Sequence, residues 1–218
     1  MELFMHTLLR TLLAAYGPQH WWPAQSVEEM MVGAILVQNT AWTQVARVIA
    51  NLQAHQMLSM AAIRSGQEEL LWRLLRPVGF FRVKARRLKA LAECMARFGD
   101  QPERLFQLET DALRNTLLRV HGIGKETADA IVCYGAHRPL FVVDAYTRRL
   151  FQRLGWITAR ASYDEIQDKV QQALPREVQP LAELHALIVQ HAKCHCRARP
   201  LCGHCPLTFC PHYEKVEP

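Results

Sequence analysis

The 218 residues carry 26 lysines and arginines against 20 aspartates and glutamates, a net charge of +6, and half of them are hydrophobic. A chain of this size can bury a sizeable core in one large domain or two small ones, and its basic excess suits a polyanionic partner without specifying one. No apolar run reaches the roughly 18–20 residues of a membrane span. The amphipathic start is interrupted by His6, Thr7 and Arg10 and lacks a signal-like cleavage site, so a cytoplasmic protein is expected.

Nearly every segment reads as helix. Trp42, Val45, Ile49 and Leu52 recur at helical spacing over 42–52. Ser65 and Glu68 form the pattern of a capping box ahead of an apolar run to Leu75, and Arg76-Pro77-Val78-Gly79 breaks it. Leu88, Leu91, Met95 and Phe98 share one face, with Gly99 as C-cap. A helix over 111–118 runs into His121-Gly122-Ile123-Gly124, and another starts near Lys125 and ends near Gly135. A short extended piece at 140–143 precedes a helix over 145–154 that stops at Gly155. Ser162 and Glu165 form a second capping box, and a last helix covers about 181–193. Strand patterns are almost absent, so the fold is expected to be all-α.

Two glycines, Gly122 and Gly124, flank one apolar residue between two helices. They permit a tight turn with positive φ and close backbone approach. The next helix starts with free N–H groups, which suits an anion, and Lys125 adds charge. Asp144 opens the following helix, where an aspartate ordinarily serves as N-cap.

The seven cysteines are uneven. Cys94 and Cys133 stand alone in helical contexts and are expected as small buried hydrophobes. Five crowd the tail, which argues for metal in a cytoplasmic protein. Cys196, Cys202, Cys205 and Cys210 give C-x5-C-x2-C-x4-C, with Cys194 as an alternative first ligand. Four thiolates suit a [4Fe–4S] cluster or a tetrahedral zinc, and spacing alone does not separate them.

From about Val27 to Cys210 the chain resembles the endonuclease III superfamily, the helix-hairpin-helix DNA glycosylases. The likeness rests on L-x-V-H-G-I-G-K-E-T-A, on V-D-x-x-x-x-R around Asp144, on the "LVQNT" segment at Gln38 and on the cysteine tail. The resemblance implies two helical domains with a DNA-binding cleft between them. One is a helical barrel with the hairpin, 27–138; the other combines 1–26 with 139–218 and the cluster loop. It implies a monomer, nucleoid-associated, acting on double-stranded DNA with a damaged base. It makes Asp144 catalytic, places Gln38 with neighbouring Asn39 in the gap left by a flipped base, and sets Gly122, Gly124, Lys125 and Thr127 against a DNA phosphate. It favours an iron–sulfur cluster over zinc, although each outer cysteine gap is one residue shorter than the family's.

Bifunctional members carry a lysine two residues after the second hairpin glycine, where it forms a Schiff base with the sugar. Here Glu126 occupies that position, which the resemblance makes a second carboxylate of the catalytic site beside Asp144, in a pocket that tolerates a cationic base. Lys125 is rotated by about 100° from Glu126. With Trp21-Trp22-Pro23 and "GIGKETAD", Glu126 makes the chain similar to the monofunctional 3-methyladenine glycosylases. Trp21 and Trp22 are then either core residues or a stacking wall for a cationic purine. The expectation is a monofunctional glycosylase for alkylated purines. The alternatives are a glycosylase for oxidised pyrimidines or mismatched bases, and a non-catalytic DNA-binding iron–sulfur protein.

Overall fold

Capping side chains mark where several of these helices begin. The structure, a computed structural model, describes residues 2–212; among them are twelve α-helices and no strand. In order they are α1 Glu2–Tyr16, α2 Val27–Leu36, α3 Trp42–Ala54, α4 Met60–Ser65, α5 Glu68–Leu75, α6 Phe81–Ala96, α7 Pro102–Leu105, α8 Thr110–Leu118, α9 Lys125–Ala130, α10 Ala145–Arg153, α11 Tyr163–Ala173 and α12 Val178–Cys194. A 3-10 turn at Arg76–Val78 separates α5 from α6, and a π turn at Ile131–Gly135 extends α9. None of the helices is long and apolar enough to cross a membrane.

Ser26 and Ser59 cap α2 and α4 through their hydroxyls, and Ser162 forms the expected capping box with Glu165. The box expected at Ser65 and Glu68 does not form. Ser65 is the last residue of α4, its hydroxyl bonds Ala61 O, and Gln67 precedes α5 without a side-chain cap. The short α4 exists because it buries Met60 and Ile63, a tertiary gain that local spacing does not reveal. The last helix starts earlier than expected, at Val178, because Pro180 lies in its first turn, where a missing N–H costs nothing.

The chain divides into two compact units, Trp22–Ala136 and the pair of segments Met1–Trp21 with His137–Pro218. In the first unit α6 packs on α2, α4 and α5. Leu88, Leu91 and Met95 of α6 are fully buried. Past its C-terminus, Gly99 and Asp100 both take positive φ, and Asp100 receives both Nη atoms of Arg64 at 2.5 and 2.8 Å, fastening α4 to this turn. Cys94 and Cys133 are buried as expected. In the second unit α1 and α10 both pack on α12. Met5, Leu8 and Leu12 of α1 meet Leu184, Leu187 and Ile188 of α12 in a core shared with Phe141, Leu150 and Ile166. Full burial of each such side chain contributes about 1.5–3 kcal/mol. Tyr16 and Gln19 tie the end of α1 to α12, through His191 Nδ1 at 2.9 Å and Glu183 Oε1 at 2.7 Å.

Candidate active site and metal centre

In the Trp22–Ala136 unit the hairpin joins α8 to α9. Arg114 of α8 holds the fully buried Asp129 of α9 through Nε at 2.6 Å and Nη2 at 3.1 Å, so the two helices are clasped before the turn begins. Gly122 has φ +84, and a Cβ there would collide with Cγ, Cδ and Nε of Arg87. Gly124 has φ −93, which any residue adopts, so the expectation of a second left-handed glycine is corrected. What Gly124 supplies is open space at the first turn of α9, with Lys125 and Glu126 exposed beside it.

The "LVQNT" turn is bound to this hairpin. Gln38 Nε2 donates to Thr127 Oγ1 at 2.8 Å and to Gly122 O at 3.2 Å, and Gln38 Oε1 accepts from Arg87 Nη1. Thr127 is buried and its hydroxyl accepts from Gln38, so it ties turn to hairpin. Gln38 is half-buried and its amide is occupied by these bonds, whereas Asn39 is exposed with φ +54. Of the two, Asn39 has the free reach.

Two residues that the sequence reading passed over complete the turn. Lys84 of α6 is only 2% exposed. Its ammonium donates to Leu36 O at 2.8 Å, to Val78 O at 2.9 Å and to Thr40 Oγ1, and Thr40 in turn donates to Val78 O at 2.8 Å. One buried cation thus pins the end of α2 to the 3-10 turn. Beyond that turn Phe80 stands 75% exposed with φ +43. Lys84 hid in a basic stretch that looks solvated; Phe80 was signalled only by a second phenylalanine after the Gly79 break.

Burial, with Arg87 nearby, lowers the Lys84 pKa from 10.5 to about 8. Between those values the unfolded chain holds more protons than the folded one, so stability attributable to Lys84 rises with pH through that window. Lys84→Met strands the buried Leu36 carbonyl and removes a donor from Thr40 Oγ1, while Val78 O keeps its bond from Thr40; each acceptor left unmet costs about 1–3 kcal/mol. Urea denaturation should show a loss of roughly 2–4 kcal/mol at pH 7, with the gap to wild type wider at about pH 9.5. An equal gap at both pH values would remove the buried-cation assignment.

In the other unit Asp144 is the N-cap of α10, with extended backbone at φ −109 and ψ −178. Oδ1 accepts from Thr147 N at 2.7 Å, and Oδ2 lies 3.6 Å from His185 Nε2, beyond hydrogen-bond length. The carboxylate is 8% exposed. Burial pushes its pKa up, but His185 and the Thr147 amide outweigh burial and hold it below the ordinary 3.8. One carboxylate oxygen of Asp144 is thus committed to the first turn of α10 and the other faces His185. Trp21 meets His185 edge-on at 5.7 Å, while Trp22 packs against Trp42 and Tyr134 at 5.4 and 5.5 Å. The two tryptophans, adjacent in sequence, belong to different units.

At the end of α12, Cys196, Cys202, Cys205 and Cys210 line one small hollow together with Arg153 and His191. Cys194 does not line it; its Sγ faces Gln190 Nε2 at 3.4 Å. The thiols line this hollow, and among the described residues no three His, Cys, Asp or Glu side chains are gathered to hold a metal ion. Burial raises the Cys202 and Cys205 pKa values, and the neighbouring thiols raise them further, the electrostatics of donors gathered for a cationic group. Burial, with His195 beside it, lowers the His191 pKa to about 4, so this imidazole is neutral, with Nε2 3.9 Å from Cys205 Sγ. Arg149 and Arg153 of α10 bind the carbonyls of Cys196, Arg197 and Ala198 at 2.7–3.0 Å, and Arg153 also reaches Cys196 Sγ at 3.1 Å. The helix that carries Asp144 at its start thus holds the cysteine loop at its end. Four thiolates with this basic collar fit an iron–sulfur cluster.

Comparison with known proteins follows the same lines. The family described as HhH-GPD superfamily base excision DNA repair protein matches residues 32–176. A candidate DNA repair glycosylase of Methanocaldococcus jannaschii is 43% identical over 94% of this chain and 95% of its own length. The crystal structure of H. pylori 3-methyladenine DNA glycosylase (MagIII) bound to 1,N6-ethenoadenine has a TM-score of 0.76 at 29% identity, covering 88% of this chain and 96% of that one. A trapped endonuclease III–DNA covalent intermediate has a TM-score of 0.84 at 20% identity, covering 99% and 98%, which is a likeness of fold.

Proposed function

Because this chain belongs to the HhH-GPD superfamily of base excision DNA repair proteins and is a DNA glycosylase, we propose that it hydrolyses the N-glycosidic bond of alkylated purines such as 3-methyladenine and leaves the strand uncut. The observation that carries this reading is Glu126, exposed in the first turn of the hairpin helix where bifunctional enzymes need a lysine. The 29%-identical glycosylase bound to an alkylated adenine supports the substrate class.

In this reading the hairpin at Gly122, Gly124 and Lys125 holds a phosphate of double-stranded DNA. Asn39 and Phe80, both exposed on left-handed turns, enter the stack as the base leaves it. Gln38 and Lys84 keep those turns in place. The glycosidic bond then breaks with its electron pair on the base nitrogen. Asp144 stabilises the positive charge that develops on the sugar, and water adds to C1′ as its proton passes to the carboxylate. A cationic purine leaves without general-acid help, and Trp21 offers it a π face. Cys196, Cys202, Cys205 and Cys210 would hold a [4Fe–4S] cluster whose role is structural: it orders the loop of Arg197 and Arg199.

The deciding assay measures free-base release from alkylated DNA and from duplexes with one oxidised pyrimidine, and compares nicks with and without alkali. Release of 3-methyladenine with alkali-dependent nicks is expected; release of an oxidised pyrimidine with direct nicking would overturn the reading. Glu126→Lys should create alkali-independent nicking at least about tenfold above wild type, through a borohydride-trappable Schiff base. If it creates none, position 126 does not face the sugar.

A further inference from the structure

The Trp22–Ala136 unit also carries a cationic hollow, none of whose lining residues belongs to the hairpin. Trp72 and Arg73 of α5, Arg76 of the 3-10 turn, and Phe81 and Arg82 of α6 line a space of about 600 Å³, with Glu69 as the one carboxylate on its wall. The Arg82 guanidinium lies 4.8 Å from the centre of the Trp72 ring and 5.8 Å from that of Phe81, and the Arg76 guanidinium lies 6.0 Å from Phe81. Ring stacking of this kind orients a guanidinium without neutralising it. None of the Arg73, Arg76 and Arg82 guanidiniums makes an ion pair or a hydrogen bond among the described residues. Elsewhere in this unit an arginine beside a carboxylate takes it, as Arg64 takes Asp100 and Arg114 takes Asp129.

Three unpaired guanidiniums on one hollow repel one another, and two of them are already fixed in direction. That arrangement presents three exposed cationic donors to an anion. A guanidinium fork fits the paired oxygens of a phosphate. We propose that this hollow is a second phosphate site, binding a backbone phosphodiester of the DNA strand in addition to the one held by the hairpin. The scaffold favours a nucleic-acid backbone over free phosphate or an acidic peptide. The helix that carries Arg82 also carries Arg87, whose side chain packs on Gly122 and bonds Gln38, so α6 fixes hollow and hairpin together within the unit. The inference rests on the glycosylase reading.

The test is the salt dependence of binding to an undamaged duplex. It compares wild type, Lys125→Ala, and the double variant Arg73→Gln with Arg76→Gln, which leaves the Arg82–Trp72 stack in place; melting curves check that each variant is folded. Every phosphate that the protein no longer neutralises lowers the slope of log K against log salt by about 0.9. The double variant should therefore lose about 0.9 from the slope and bind roughly 5–10-fold more weakly at physiological salt. Lysine at both positions should restore most of the slope. An unchanged slope in a folded double variant overturns the site, while failure of wild type to bind duplex at all would instead remove the glycosylase reading. Two further probes separate the sources. If inorganic phosphate changes Trp72 fluorescence (a change absent in Trp72→Phe) while the duplex slope stays unaltered in the double variant, the hollow takes free phosphate only. If polyglutamate binds there and duplex does not displace it, the partner is an acidic peptide. Either result sinks the DNA-backbone assignment.

Discussion

Asp144→Asn should cut base release by about 10³-fold, while the protein stays folded and still binds DNA. The separation of effects follows from how the two carboxylate oxygens are used. Oδ1 caps α10 by accepting from Thr147 N, and asparagine caps a helix as well as aspartate does, so the fold should lose no more than about 0.5 kcal/mol. What disappears is the negative charge at the position facing His185 Nε2. Without it, neither the cationic sugar nor an attacking water finds a partner. Asp144→Ala should behave differently, with the same loss of rate and a further loss of about 1 kcal/mol from the missing cap. The pH profile gives an independent reading. His185 and the Thr147 amide hold the carboxyl below its ordinary 3.8, so an acid limb belonging to Asp144 must fall below that value. Contributions to stability run the same way: a carboxyl with a depressed folded pKa stabilises the protein above its unfolded pKa and loses that contribution as pH falls through the folded one. Single-turnover base release on alkylated duplex, beside a binding isotherm, checks the prediction. An Asn variant as fast as wild type would remove Asp144 from the chemistry.

How far the sequence could be read depended on whether a signal was local. The capping box at Ser162 formed because Glu165 lies within reach and nothing else claims the serine. The same pattern at Ser65 failed because α4, held by buried Met60 and Ile63, had already used that serine as its last residue. Periodicity placed α3, α8 and α10 within two residues or so at each end, since their apolar faces are regular. It could not show that Lys84, in a run of basic residues, turns inward to meet three oxygens, because that depends on where the α2 turn and the 3-10 turn lie in space. Nor could it show that Trp21 and Trp22, neighbours in sequence, take different partners, His185 for one, Trp42 and Tyr134 for the other. Among the cysteines, spacing left Cys194 and Cys196 both open as first ligand, and the end of α12 decides between them. Cys194 is the last helical residue and points to Gln190, whereas Cys196, past the helix, is buried on the hollow.

Cys205→Ser should abolish the visible thiolate-to-iron absorption and the roughly four irons per chain expected of a [4Fe–4S] protein, while Cys194→Ser should leave both intact. Zinc would give one metal per chain and no visible band, because its d-shell is filled. Metal binding of this kind is folding free energy, since the unfolded chain has no preformed site. Losing about 4 kcal/mol would lower the melting temperature by about 8–16 °C for a chain of this length. The damage should also reach the chemistry. Arg149 and Arg153 bind the cysteine loop from the same helix whose first turn is capped by Asp144. A loop that no longer presents its carbonyls leaves those guanidiniums without their acceptors, and α10 loses its anchor at one end. Base release by Cys205→Ser should therefore fall along with stability, and lowering the temperature should recover part of it. Asp144→Asn, which melts like wild type, should recover nothing. Iron analysis, visible absorption and melting curves on the two serine variants decide the matter. If Cys205→Ser keeps its metal, or if Cys194→Ser loses it, the ligand set assigned from the hollow is wrong.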